Sequence, residues 1–311
     1  MQKTFDTGDL IQVRFDEKSL LSFLVKLDLK DDGAYYYPTK ELAEVIMRAL
    51  PEYVFAHHEG VDLTSAVAKL KEAANRLYKT GDYEIMKRYY VLNDQSVAQQ
   101  VKELEENSRG EFGELLLHLL LRDFKGTIPL VSKVYFSDAR NIAAHGFDAV
   151  HFTPSDMTLW LGECKLYGDC NQGLNALIGD LKEHFTKDYM HDQFIVIKKN
   201  VESESFPERD VWIERLQKCE RLEDMITNLN VVLLCVYPFD YYDKALVNGF
   251  TDKTPEEYYN DHIVSRKAYF DSKNDAPLAP RLNITLFLFP VKDKVEFVKN
   301  LHEKLYFMQN I

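Results

Sequence analysis

The stretch Met157–Tyr167, MTLWLGECKLY, places Glu163 and Lys165 inside an apolar, β-rich run with only Cys164 between them. A charge buried there costs several kcal/mol unless it is paired or bound to a metal. Alternation along a strand sends both side chains to one face. The preceding apolar run, GFDAVHF, carries Asp148, and the turn residues Thr153–Asp156 between the two runs predict a hairpin that brings Asp148 beside Glu163. Two carboxylates and one ammonium at a single point on a sheet, with the Cys164 backbone carbonyl as a further oxygen, suit Mg2+, for which Mn2+ can substitute. Such an ion polarises a phosphoryl oxygen and lowers the pKa of a bound water, while Lys165 orients that water or meets developing charge. The chemistry this suits is metal-assisted phosphodiester hydrolysis; the competing reading is a structural ion pair on an edge strand.

A further carboxylate is expected from SRGEFGELLLHLLLRDF, which reads as a helix from Ser108 to Phe124. Glu111, Glu114 and His118 fall at i, i+3 and i+7 and share a face. Glu114 is the first choice because it abuts the apolar body, and Glu111 is the reserve. His118, in a leucine-rich helix, reads equally as a satisfied core histidine. His145 and His151 flank the Asp148 strand and could approach a phosphate, as could Lys133 and Arg140, the best basic candidates for a DNA groove. The triplet [DE]xK alone carries little information, since it recurs at Asp16/Lys18, Asp28/Lys30, Asp123/Lys125, Asp180/Lys182 and Asp271/Lys273. Only Glu163/Lys165 lies in an apolar β-like run behind a strand with Asp and a helix with Glu.

Positioning these residues requires a sheet covered by helices. The runs Leu20–Leu27, Ile128–Phe136, Gly146–Phe152, Met157–Tyr167, Val231–Tyr237 and Asn283–Phe289 predict strands, and Ser65–Tyr78, Val97–Glu106, Leu174–Phe185, Glu256–Tyr269 and Lys294–Phe307 predict helices. Mixed in this order, they give an α/β fold. Residues 1–100 carry no chemical motif and read as an N-terminal α/β lobe that could dock a partner; residues 101–311 hold the site. A net charge of -12 argues against a protein that coats nucleic acid through its field alone, though not against one that meets DNA locally. Four cysteines without CxxC or zinc-ligand spacing, and no apolar run long enough for a bilayer, predict a cytoplasmic, membrane-free protein. There is no phosphate loop, dinucleotide fingerprint, nucleophile elbow or HExxH, so NTP-driven work would belong to a partner.

A helix with Glu, then Asp148 in GFDAVHF, then Glu163-Cys164-Lys165 resembles the PD-(D/E)XK nuclease superfamily. More narrowly, RGEFGELLLHLLL, GFDAVHF and LWLGECKLYGD, within Ser108–Phe185, are similar to the HamA family, the nuclease subunit of Hachiman antiphage defence. The superfamily's usual Pro-Asp is here Phe147-Asp148. The resemblance implies a restriction-endonuclease-like core, a central mixed sheet flanked by helices. Asp148 and Glu163 would then be metal ligands, Lys165 the catalytic lysine, and Glu114 or Glu111 the helix carboxylate. It also implies DNA as substrate and a HamB-like helicase that restrains the nuclease. The alternatives are a catalytically silent subunit of the same fold that regulates a helicase, and a stand-alone restriction or repair nuclease.

Overall fold

The computed structural model describes residues 7–55, 63–77, 80–106, 110–131, 146–203, 206–218 and 221–310. Among these, seven strands form one sheet: β1 (Ile11–Glu17), β2 (Leu20–Val25), β3 (Ile128–Pro129), β4 (Ala149–Thr153), β5 (Thr158–Leu166), β6 (Leu229–Pro238) and β7 (Asn283–Val291). Their order is β1-β2-β7-β6-β5-β4-β3. The central strands β2, β7, β6 and β5 are mutually parallel, and the outer strands β1, β4 and β3 are antiparallel to their neighbours.

The helices that bear on the site are α1 (Thr39–Arg48), α2 (Leu50–Phe55), α3 (Glu111–Lys125), α4 (Cys170–His184), α5 (Lys187–Ser203), α6 (Pro255–Lys273) and α7 (Lys294–Gln309). Leu42 and Ile46 of α1, Val54 of α2, Leu115–Leu117 of α3 and Leu301 of α7 bury one face of the sheet. Leu174 and Leu177 of α4, Met190 and Ile197 of α5, and Ile263 and Phe270 of α6 bury the other. Coverage on both sides explains why β6 reads as an unbroken apolar run rather than an alternating one. Val231, Leu233 and Cys235 go to one layer, and Val232, Leu234 and Val236 to the other.

The expected α/β class, a central mixed sheet flanked by helices, is the observed one. Several boundaries differ. Of the run expected as a strand from Ile128 to Phe136, Ile128–Pro129 forms the strand and the Leu130 amide still donates to the Val150 carbonyl at 2.8 Å; residues 132–136 lie outside the described residues. The helix expected from Leu174 begins at Cys170, where the Asp169 side chain accepts from the Gln172 amide at 2.9 Å and caps the first turn. β1 was not anticipated. It pairs antiparallel with β2, and β2 in turn pairs in parallel with β7, Leu20 opposite Leu286. The sheet therefore runs continuously across residue 100, and α7 packs against α1. Among the described residues, no helix is long and apolar enough to cross a membrane.

Candidate functional site

The hairpin forms where the turn residues place it. Ala149 opposes Gly162 and Thr153 opposes Thr158, with Met157 at φ 56 completing the turn and the Trp160 indole donating to Thr153 Oγ1 at 2.8 Å. Asp148 sits one residue before β4, where strand pairing stops. Its Oδ2 accepts from the Cys164 amide at 2.8 Å, taking over a backbone donor beyond the last β4 pair.

Helix α3 closes on one side of this hairpin. A Cβ at Gly113 would lie 2.2 Å from Cys164 Sγ, so only glycine lets the helix approach this closely. That approach puts Glu114, 8% exposed, at the site, where its carboxylate accepts a short hydrogen bond from the Tyr53 hydroxyl of α2. Helix α4 closes on the other side, and a Cβ at Gly173 would lie 2.6 Å from Cys235 Sγ. From α4, His184 Nδ1 shares a 2.6 Å hydrogen bond with Glu163 Oε1, and Asp180 Oδ2 forms a 2.8 Å ion pair with Lys165 Nζ. The His184 ring is stacked on Tyr189 of α5, centroids 4.5 Å apart, and Phe147 sets its edge against both rings.

The electrostatics are those of a crowded acidic centre. Burial, then the charges of Glu163 and Glu114, push the Asp148 carboxyl well above the usual range, against the Cys164 hydrogen bond and Lys165, which pull it down. Burial likewise raises Glu163, reinforced by Asp180 and Glu114 and opposed by Lys165. Burial works against the Lys165 ammonium, but the Asp180 hydrogen bond and the surrounding carboxylates outweigh it and hold its pKa above the ordinary lysine value. His184 is lowered by burial, despite the pull of Asp180.

The structure thus brings together Asp148, Glu163, Lys165 and Glu114. Glu111 lies on the same helix near Tyr53, whose hydroxyl it helps to push upward, and Glu114 is among the charges that raise Asp148 and Glu163. His118 is 1% exposed and turned to His151, Nδ1 to Nε2 3.1 Å, while His151 Nδ1 contacts Thr127 Oγ1 at 2.9 Å. Facing inward, neither histidine presents itself to solvent. Lys133, Arg140 and His145 lie outside the described residues. Sequence reasoning missed Tyr53, Asp180 and His184. For Asp180 and His184 a signal existed, since two polar residues one turn apart punctuate the apolar Leu174, Leu177, Ile178 and Leu181 of α4.

As a donor set, two buried carboxylates, Glu114 and Glu163, and the half-buried Asp148 suit a hard cation, and mutual repulsion is what such an ion relieves. Among the described residues, no three His, Cys, Asp or Glu side chains are gathered in ligand geometry. Glu163 is turned to His184, Glu114 to Tyr53 and Asp148 to the Cys164 amide. The residue types fit Mg2+ or Mn2+, with the carboxylate rotamers set by these partners.

Comparison with curated proteins and with solved structures gives no match. The family model of HamA matches residues 8–305, nearly the full length. The match spans both the N-terminal strands and the helices and strands that build the carboxylate cluster, so the chain belongs to the HamA family and is a component of Hachiman antiphage defence.

Proposed function

We propose that the protein is the nuclease of its defence system, a metal-dependent DNase built on a PD-(D/E)XK-like core and controlled by a HamB-like helicase. The observation that carries this reading is the proximity of Asp148, Glu163 and Glu114, from a hairpin and a helix, close enough for the charges of Glu163 and Glu114 to act on Asp148 beside Lys165. Proteins bury like charges together at a cost of several kcal/mol, and a cation-binding centre gives that cost a use. Membership of the HamA family supports the same reading.

In this reading Asp148, Glu163 and Glu114 hold Mg2+ or Mn2+, with the Cys164 carbonyl as a further oxygen donor. The ion, when bound, supplies Lewis acidity toward a phosphodiester oxygen and an acidified water. Lys165, 26% exposed at its side chain, is the cation of the cluster placed to meet a phosphate, on release from Asp180. The acidic chain, at -12, disfavours unaided loading onto DNA, which fits delivery by a helicase.

The test is cleavage of linear and supercoiled plasmid in Mg2+ or EDTA, with and without the partner helicase and ATP. Wild type should cut only with metal, and Glu163→Gln and Lys165→Ala should not cut. Folded wild type inert under all these conditions beside an active helicase would leave the silent regulatory subunit instead. Because β1 and β2 are part of the common sheet, a docking role for residues 1–100 is better tested by surface substitutions than by deletion, which would uncover β7.

A further inference from the structure

Helix α4 meets the Glu163-Cys164-Lys165 triplet at both of its charged residues. Along a strand, residues two apart are separated by about 6.6 Å. On a helix, residues four apart have Cβ atoms about 5–6 Å apart. The two spacings nearly match, and the pairing is antiparallel: the later strand residue, Lys165, meets the earlier helix residue, Asp180, and the earlier strand residue, Glu163, meets the later helix residue, His184. A helix returning across the sheet between parallel β5 and β6 is well placed for that sense.

The His184 contact is constrained from several directions. Its ring lies within 11° of parallel to Tyr189 and edge-on to Phe147, so the plane that presents Nδ1 to Glu163 is fixed by aromatic packing. Leu174, Leu177 and Leu181 anchor α4 in the core, and Glu163 is 2% exposed, so the carboxylate has little freedom except the rotamer His184 holds. Nothing in catalysis by Lys165 or the carboxylates demands a histidine on α4. Its geometry instead suits an outer partner that orients a ligating carboxylate.

We propose that Asp180 and His184 are positioning residues: His184 Nδ1–H fixes the Glu163 carboxylate for the cation, and Asp180 parks Lys165 until a phosphate competes for its ammonium. This rests on the nuclease reading above and assigns the outer contacts of that same site to α4. Neither residue touches the reacting phosphate; each acts through its strand partner.

Mn2+ binding to the purified full chain, followed by titration calorimetry, separates the two ideas from each other and from simple loss of fold. Wild type should bind Mn2+ and Glu163→Gln should bind it poorly. His184→Leu should weaken binding about 10–100-fold, the range seen when outer partners of metal ligands are removed, and His184→Asn, which keeps a donor near the Nδ1 position, should recover most of it. Tyr189→Leu, which frees the ring while leaving its nitrogen, should weaken binding in the same direction and serves if His184→Leu does not fold. Asp180→Asn should change Mn2+ affinity far less than His184→Leu does, since it removes a charge near Glu163 but no contact that orients it, while altering kcat for plasmid cleavage through Lys165. Mn2+ affinity at the wild-type level in His184→Leu or Tyr189→Leu would overturn the role of His184 with the nuclease reading intact. Unchanged kcat and KM in Asp180→Asn would overturn the role of Asp180. A wild-type protein that binds no Mn2+ would overturn the nuclease reading itself, and this inference with it.

Discussion

Glu114 and His118 lie one turn apart on α3 and are both buried, yet they belong to different surroundings. His118 meets His151, and His151 meets Thr127, a short chain of neutral donors and acceptors between α3 and the outer strands. Burial first, and then neighbouring charge, hold both imidazoles below their ordinary value, His151 at about 3. Glu114 faces the opposite situation, with Asp148 and Glu163 crowding each other and Lys165 shared with Asp180. One end of the helix is polar and neutral, with His118 Nδ1 and both His151 nitrogens paired and His118 Nε2 lying 3.9 Å from Glu52; the other gathers carboxylates beside a single lysine. The difference separates burial that supports a fold from burial that supports a site.

The largest expected contrast is in activity. Glu163→Gln should reduce metal-dependent cleavage by at least about 10²–10³-fold, comparable to loss of a principal charge-stabilising group, with thermal stability held or increased. His151→Leu should leave Mn2+ binding in place. Plasmid cleavage and melting temperature on the same preparations check both. If Glu163→Gln instead unfolds the protein, the cluster is a structural ion-pair network and the contrast between the two ends disappears.

The reverse contrast is in stability. His118→Ala should cost about 2–4 kcal/mol, the sum of a cavity in the leucine-lined layer and an orphaned His151 nitrogen. Urea denaturation gives the number. A loss under about 1 kcal/mol would mean that the histidine chain contributes little to the fold and would reopen a functional role for it.

How much of this could be read from the chain depends on how local each cause is. Glu163, Lys165 and Asp148 were legible because a period of two and one turn signal place them with no other knowledge of the fold. Choosing Glu114 over Glu111 was a matter of adjacency to the leucines; the partner that holds Glu114, Tyr53, comes from α2, sixty-one positions earlier, and leaves no local mark. Asp180 was legible as one of several scattered [DE]xK triplets and as a polar residue one turn from His184, and its own Lys182 in fact pairs with Asp275 at the surface. Its role depends on a crossover bringing α4 back along β5, which is a fact of topology. The N-terminal strands were half legible for the same reason. β2 alternates, but its partner β7 lies more than 250 residues away, so nothing nearby signals that the first region completes the sheet.

The pH dependence distinguishes the two ends by sign. For His118 and His151 the folded pKa is depressed below the unfolded value, so the unfolded chain takes up protons first. The stability they confer is present above about pH 6.5 and is lost as pH falls toward 3, at most about 1.4 kcal/mol per pH unit for each histidine. Replacing His151 by Leu should therefore flatten the acid limb of a stability-against-pH curve between pH 6.5 and 4, even where it lowers the curve as a whole. An unchanged slope would mean that the pair is charged in the folded protein.

Asp148 gives the opposite sign and the smallest effect. Its folded pKa is raised, so the folded protein holds a proton that the unfolded chain releases above about pH 4, and stability declines as pH rises beyond that point. Asp148→Asn keeps an oxygen to accept from the Cys164 amide and removes the charge, so the metal-free variant should gain about 0.5–2 kcal/mol near pH 7 and nothing below pH 4. Mn2+ should reverse the ranking, because at about 100 times its dissociation constant a ligand bound only by the folded wild type adds about 2.7 kcal/mol. Melting curves of the two proteins with and without Mn2+ at pH 7 should therefore cross in order. A variant that is less stable in both conditions would place Asp148 with the histidines, as a residue that holds the hairpin rather than an ion.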